Sequence, residues 1–256
     1  MTERRAKIVT FGVKKGGVGK STTVVNIAGV AVNRGLKVAI LDTDTNDSSS
    51  AVIENRNNYR KAQKEQGVKE SDLPPYIAVV KKANADTIED DINHLAAEND
   101  LLLIDTKGTE SDAFKEAVLS SDVIYLPTGV SVMDMNELTP TIKLINDLEN
   151  NVKQALKITN KAGAENYGID ARIFLCKVHH HSKDMMMEAK HIVQDFMSMA
   201  SFSSVVIPYV KKVEQNQWDG LTLSDRGTPG FHQKRSSYEL LFDEIMGNRT
   251  VSIERE

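Results

Sequence analysis

A glycine-rich turn set between a short apolar run and a long helical stretch constrains this chain more than any other feature. Lys14-Lys15-Gly16-Gly17-Val18-Gly19-Lys20-Ser21-Thr22 follows the run Lys7–Phe11 and opens a helix expected over Ser21–Asn33. Strand, glycine turn and helix in that order form a phosphate-binding loop. The glycines let backbone N–H groups turn inward around phosphate oxygens, and the helix adds the positive end of its dipole. Lys20 is placed to reach the β- and γ-phosphates of a nucleotide, and the Ser21 hydroxyl to ligate Mg²⁺. Residues Lys15, Gly16, Gly17, Val18, Gly19, Lys20, Ser21 and Thr22 are the expected nucleotide contacts.

A phosphate loop of this kind requires a parallel sheet, and the rest of the chain supplies one. Apolar runs at Lys7–Phe11, Val38–Leu41, Ile77–Val80, Leu101–Ile104, Val123–Leu126, Ile173–Cys176 and Val205–Ile207 alternate with helical stretches. The latter are Ser21–Asn33, Ser48–Gln66, Ala85–Glu98, Ser111–Ser120, Asp134–Asn150, Ser182–Met199 and Lys234–Met246. Runs apolar at consecutive positions fit strands covered on both faces. The alternation predicts an α/β fold: a doubly wound, mostly parallel sheet with helices on both faces and its ligand at the carboxyl ends of the strands. One domain is expected over 1–247, with a charged, frayed tail over 248–256; the polar stretch Asn55–Pro75 reads as a solvated helix and loop.

Composition excludes several function classes. The single cysteine, Cys176, rules out an internal disulfide framework, a four-cysteine metal site and a CxxC redox pair. No apolar run reaches the length of a membrane span, and MTERRAKIVTFG has too short an apolar run for a signal peptide. A cytoplasmic protein is the expectation. The net charge of −4 excludes a globally basic nucleic-acid binder, so DNA binding requires a local patch.

Lys14 stands where the ordinary loop has glycine, and Lys15 lies just inside it. With this K-G-G-x-G-K-[ST] pattern the chain resembles the ParA/MinD family of deviant Walker A ATPases. The resemblance implies an ATP-dependent homodimer in which Lys15 reaches the partner subunit's nucleotide and neutralises charge in the transition state. Leu41-Asp42-Thr43-Asp44-Thr45-Asn46 is similar to the family's D-x-D-P-Q. It implies that Asp44 positions the attacking water and Asp42 holds a magnesium-bound water, with Thr45-Asn46 replacing Pro-Gln. Leu101–Ile104 followed by Asp105 reads as a Walker B strand, with Asp105 contacting Mg²⁺ through water and Gly108 offering its N–H to the γ-phosphate. The family more often has D-T-P-P here, so Lys107 is a departure. Pro127–Met135 resembles the family's interface segment with Asp134 as its acid, and Ile207-Pro208-Tyr209 its adenine-side loop.

Within that family the chain resembles the short partition ATPases that lack an N-terminal helix-turn-helix. Such proteins bind DNA non-specifically as ATP dimers and are released when a ParB-like, DNA-bound adaptor stimulates hydrolysis. They would associate with the nucleoid and segregate a plasmid or other cargo. Basic candidates for DNA contact are Lys177, Lys183, Lys190, Lys211, Lys212, Arg226, Lys234 and Arg235. Consecutive His179-His180-His181 point in divergent directions and do not predict a metal site. Met185-Met186-Met187 suggests adaptable packing on a half-buried helix. The charged tail lacks the amphipathic pattern of a membrane-targeting helix, so no membrane role is expected. Two alternatives stand beside partition: a carboxylating or amidating enzyme of similar fold, and a nucleotide-gated scaffold with negligible turnover.

Overall fold

The computed structural model describes residues 6–46, 48–83, 85, 87–107, 111–159, 163–179, 187, 199–209, 220–225, 232–248 and 252–253. The strands are β1 (Lys7–Phe11), β2 (Val38–Asp42), β3 (Ala78–Lys81), β4 (Leu101–Asp105), β5 (Val123–Thr128), β6 (Ala171–Val178), β7 (Ser201–Pro208) and β8 (Ser252–Ile253). The helices are α1 (Lys20–Asn33), α2 (Ser48–Glu65), α3 (Glu89–Glu98), α4 (Asp112–Ser120), α5 (Val132–Asn136), α6 (Leu138–Ile158) and α7 (His232–Ile245). Strands β1 to β7 lie parallel in the order β3-β2-β4-β1-β5-β6-β7, the doubly wound sheet that the alternation predicts. Within the tail expected to fray, β8 adds an antiparallel edge to β7.

The strand residues divide between the sheet's two faces with a period of two. Val9, Phe11, Ile40 and Leu103 pack with Val24, Ile27 and Ala28 of α1, Ile53 of α2 and Leu241 and Phe242 of α7. Ile8, Leu41 and Ile104 face the other way, onto Ile92 and Leu95 of α3 and Ala113 and Ala117 of α4. A third cluster puts Phe114 and Val118 of α4 and Ile142 and Ile145 of α6 beneath β5 and β6. Both faces are therefore dry, which explains the unbroken apolar runs. Helix α1 is buried along most of its length, which explains why Val, Ile and Ala dominate it.

The strand order reverses at β1, between β4 and β5. The register sets Phe11 beside Asp105, and Asp105 beside Asp42, so β1, β2 and β4 end level on one rim. Chain reversal there opens a crevice into which the loop after β1 projects.

Several expectations need correction. The stretch Asn55–Pro75 is not wholly solvated: Arg56 is fully buried within α2. The helix expected from Ala85 begins at Glu89, where three acidic residues fill its first turn. The stretch Asp134–Asn150 is two helices, α5 and α6, and α6 continues to Ile158. Of the helix expected over Ser182–Met199, only Met187 and Met199 are described, and Met187 is exposed.

Candidate nucleotide site

The glycines of the loop adopt the backbone their spacing requires. Gly17 and Gly19 have φ of +77° and +98°, in the left-handed region that side chains disfavour. Gly19 has a second constraint: a Cβ there would lie 2.7 Å from the Cys176 sulfur, at the floor of the loop. Thr23 N–H and hydroxyl both donate to the Gly19 carbonyl, at 2.9 and 2.8 Å, which ties the loop to the first turn of α1.

Lys20 is the electrostatic centre. Its ammonium lies 2.7 Å from Asp105 Oδ1 and 3.2 Å from Asp44 Oδ2, and its side chain is 8% exposed. Burial alone would lower its pKa, but the two carboxylates outweigh burial and hold it above the ordinary lysine value. Burial pushes the Asp105 carboxyl up, opposed by Lys20 and reinforced by the Asp42 charge. For Asp44 burial again acts upward, but the Asn46 N–H, Lys20 and Lys107 prevail and hold its carboxyl below the usual range.

The loop after β2 is built on its own acids. Asp42 is fully buried; its Oδ2 accepts from the Ser49 hydroxyl and the Ser50 N–H at 2.9 Å each, satisfying the first turn of α2. Asp42 Oδ1 accepts from the Asp44 N–H at 3.0 Å, and Asp44 Oδ1 from the Asn46 N–H at 3.0 Å. These bonds set the direction of Asp44 in a loop without the family's proline. Thr43 N–H donates to the Asp105 carbonyl at 2.9 Å, joining the two acidic strand ends.

These elements enclose a cleft of about 470 Å³. Its walls include the loop backbone, Lys14, Lys15, Lys20, Ser21, Thr22, Asp44, Asn46, Lys107 and Lys177. Among the described residues of the wall five are lysines and one is a carboxylate, a surface suited to a polyphosphate. The donors also fit Mg²⁺, which takes hard oxygen ligands. The Ser21 hydroxyl faces the Asp105 carboxylate, whose Oδ2 is buried and, among the described residues, has no partner within hydrogen-bond geometry.

Lys15 lies at the cleft's edge, about a third exposed. Its ammonium is 2.6 Å from Asp134 Oδ1, while Asp134 Oδ2 accepts from the Ser131 hydroxyl at 2.6 Å. A Cβ on Gly129 would meet the Asp134 carboxylate, so a side chain there would displace the partner of Lys15. The sequence alone does not pair Lys15 with Asp134, because 118 residues of chain intervene.

Other expected residues fall elsewhere. Val18 is buried in the apolar cluster beneath β5 and β6 and does not line the cleft. Pro208 ends β7 in register with Val178 and is likewise not in the cleft wall. Lys177, counted among the DNA candidates, instead lines the cleft with φ of +57°, a strained backbone for a residue with a side chain. Arg235 is ion-paired to Glu239 on α7. His179 stacks its ring 4.6 Å from Tyr209. Gly108, Lys183, Lys190, Lys211, Lys212, Arg226, His180, His181, Met185 and Met186 lie outside the described residues, as does the side chain of Lys234.

One buried pair escapes the sequence reading. The Arg56 guanidinium makes two hydrogen bonds to Asp225, at 2.6 and 2.7 Å, and a third to the Pro75 carbonyl at 2.9 Å. Asp225 also accepts from the Thr222 N–H and hydroxyl. Burial acts upward on the Asp225 carboxyl, but Arg56 and Thr222 hold it below the ordinary value. The only signal is spacing: Ser49, Ile53 and Arg56 fall on one face of α2.

Comparison with known proteins agrees with this geometry. The sequence model of one family, described as ATPase MipZ, matches residues 7–152. Protein virC1 of Rhizobium radiobacter is 27% identical over 143 residues, 56% of this chain and 57% of that protein. The chain thus spans a little over half the length of the curated relatives it matches. A plasmid partition protein of Borrelia burgdorferi B31 bound to AMPPNP superposes with a TM-score of 0.59 at 16% identity, over 95% of this chain and 99% of its own. The pNOB8 ParA bound to nonspecific DNA superposes with a TM-score of 0.60 at 15% identity, over 94% and 98%. The family match covers more than half of the sequence and includes the glycine loop and both acidic strand ends, so this chain belongs to the MipZ family of ATPases.

Proposed function

We propose that this protein hydrolyses MgATP as a dimer and uses the cycle to partition or position DNA cargo. The observation that carries the reading is the sharing of Lys20 between Asp105 and Asp44 at the head of the glycine loop. Triphosphate binding would draw Lys20 toward the β- and γ-oxygens, with the loop N–H groups around the remaining phosphates. Ser21, Asp42 and Asp105 would hold Mg²⁺ directly or through water, and the ion would offset charge on the phosphate oxygens. Asp44 would orient a water against the γ-phosphorus: the water oxygen bonds to phosphorus, the bond to the bridging oxygen breaks with its electron pair leaving on ADP, and the water's proton passes to the released phosphate. The Asn46 N–H fixes Asp44 for this task, which favours turnover over a passive scaffold.

Lys15 supports the dimer reading. It is held by Asp134 at the cleft's edge, where a second subunit's nucleotide could exchange for that carboxylate. Lys15→Gln is expected to keep ATP affinity within about threefold while turnover falls at least about 100-fold, since a transition-state cation is lost. Unchanged turnover in steady-state phosphate release would remove the trans-lysine mechanism. Partition of DNA is proposed by analogy with the ParA and Borrelia structures, the ParB-like adaptor by family resemblance. The test is binding to duplex DNA of arbitrary sequence with ATP, ADP or no nucleotide, at two salt concentrations. ATP-dependent, salt-sensitive binding is expected. Absence of binding in all three states would overturn the DNA role and leave the ATPase intact.

A further inference from the structure

The cleft carries two lysines from outside the phosphate loop, Lys177 beside Gly19 and Lys107 beside Asp44. Lys177 packs over Gly19: its Cε and Cγ lie 3.5 and 3.7 Å from where a Cβ on that glycine would sit. Lys107 follows β4 two residues after Asp105 and lines the cleft near enough to Asp44 for its charge to act on that carboxylate. Its backbone is anchored there. Thr106 N–H and hydroxyl both donate to the Phe11 carbonyl at 3.1 Å, so the chain leaves β4 in a fixed direction over the first strand. Lys20 has its ammonium on the Asp44 side.

A phosphate loop orders its ligand: the glycine N–H groups surround the inner phosphates, and the loop lysine reaches the outermost two. The Asp44 side of the cleft is therefore the γ-phosphate end, and the Gly19 side faces the inner phosphates and nucleoside. We propose that Lys107 is a γ-phosphate sensor acting within its own subunit, a second cation that makes the site favour a nucleoside triphosphate over a diphosphate. This rests on the ATPase reading above. It assigns to Lys107 the place of a residue that the resemblance would make proline, and adds a cis charge to the one Lys15 would bring in trans. Terminal phosphate is stripped of water as it meets Lys20, Lys107 and the loop, so a diphosphate leaves Lys107 without a ligand.

The test compares equilibrium binding of ATP and ADP, each with Mg²⁺, to the full chain and to Lys107→Gln, Lys107→Arg and Lys177→Gln. Lys107→Gln is expected to weaken ATP about tenfold and ADP less than twofold. Lys107→Arg keeps the charge and should restore most of the preference, whereas Lys177→Gln should weaken both nucleotides alike. Lys107 is exposed, so a thermal melt without nucleotide should be unchanged. Equal loss of ATP and ADP affinity in Lys107→Gln, or no loss, would overturn the sensor while leaving the ATPase reading standing. A wild-type chain that binds neither nucleotide would overturn both.

Discussion

Lys20→Ala is expected to lose MgATP binding by at least about 100-fold, and turnover with it. One cation serves three neighbours: two carboxylates at 2.7 and 3.2 Å and, on binding, the outer phosphates. Its removal does more than delete phosphate contacts. It leaves Asp44 and Asp105 facing the incoming polyphosphate uncompensated, so repulsion adds to lost attraction. Lys20→Arg should rescue little, because a planar fork cannot occupy the space of a compact ammonium that is 8% exposed between two acids. Titration calorimetry checks this, with a circular-dichroism melt beside it, since Asp105 loses its cation. Affinity within tenfold of wild type would dethrone Lys20 as the phosphate ligand.

The largest effect on stability is expected at Arg56. Arg56→Ala should destabilise the fold by about 3–5 kcal/mol, because it strands a buried carboxylate. Asp225 keeps the Thr222 donors but loses both guanidinium bonds. A cavity of several side-chain carbons is added at a site with no solvent exposure. Gly220 compounds the cost: at φ of +69° it lies so close to the Arg56 backbone that a Cβ there would clash with it, so the two segments have little space to close over a cavity. Urea unfolding would measure the change, and a loss under 1 kcal/mol would show the pair to be expendable. ATP affinity at low denaturant should fall by far less than in Lys20→Ala, which separates the two roles.

The sheet, the loop and the three acids were legible because each rests on local grammar. Apolar runs mark strands, glycines mark left-handed backbone, and an acid at a strand's end marks the rim of a parallel sheet. The pairings were not legible, because they depend on distance through space. Nothing near Lys15 names Asp134, and nothing near Arg56 names Asp225, 169 residues away. The places of the Val18 and Lys177 side chains were hidden for the same reason. A valine inside a phosphate motif reads as a ligand contact, but its side chain packs inward. A lysine after an apolar run reads as surface, but β6 continues through Lys177, whose φ of +57° falls at an irregularity of the strand beside the loop. Lys107 was visible as a departure from pattern; its wall of the cleft was not.

The contact of Gly19 with Cys176 also dictates an order of events during synthesis. The loop emerges near the start of translation, yet its floor is β6, and its central strand needs β4 and β5 on either side. Contacts separated by so much sequence form slowly, after long loops have closed. Until residue 176 has left the ribosome, the glycine turn has its bonds to α1 but lacks the part of its floor that β6 supplies. Nucleotide capture is therefore expected late in the maturation of the nascent chain, so that a ribosome-bound polypeptide that ends before β6 should bind ATP more weakly than the full chain.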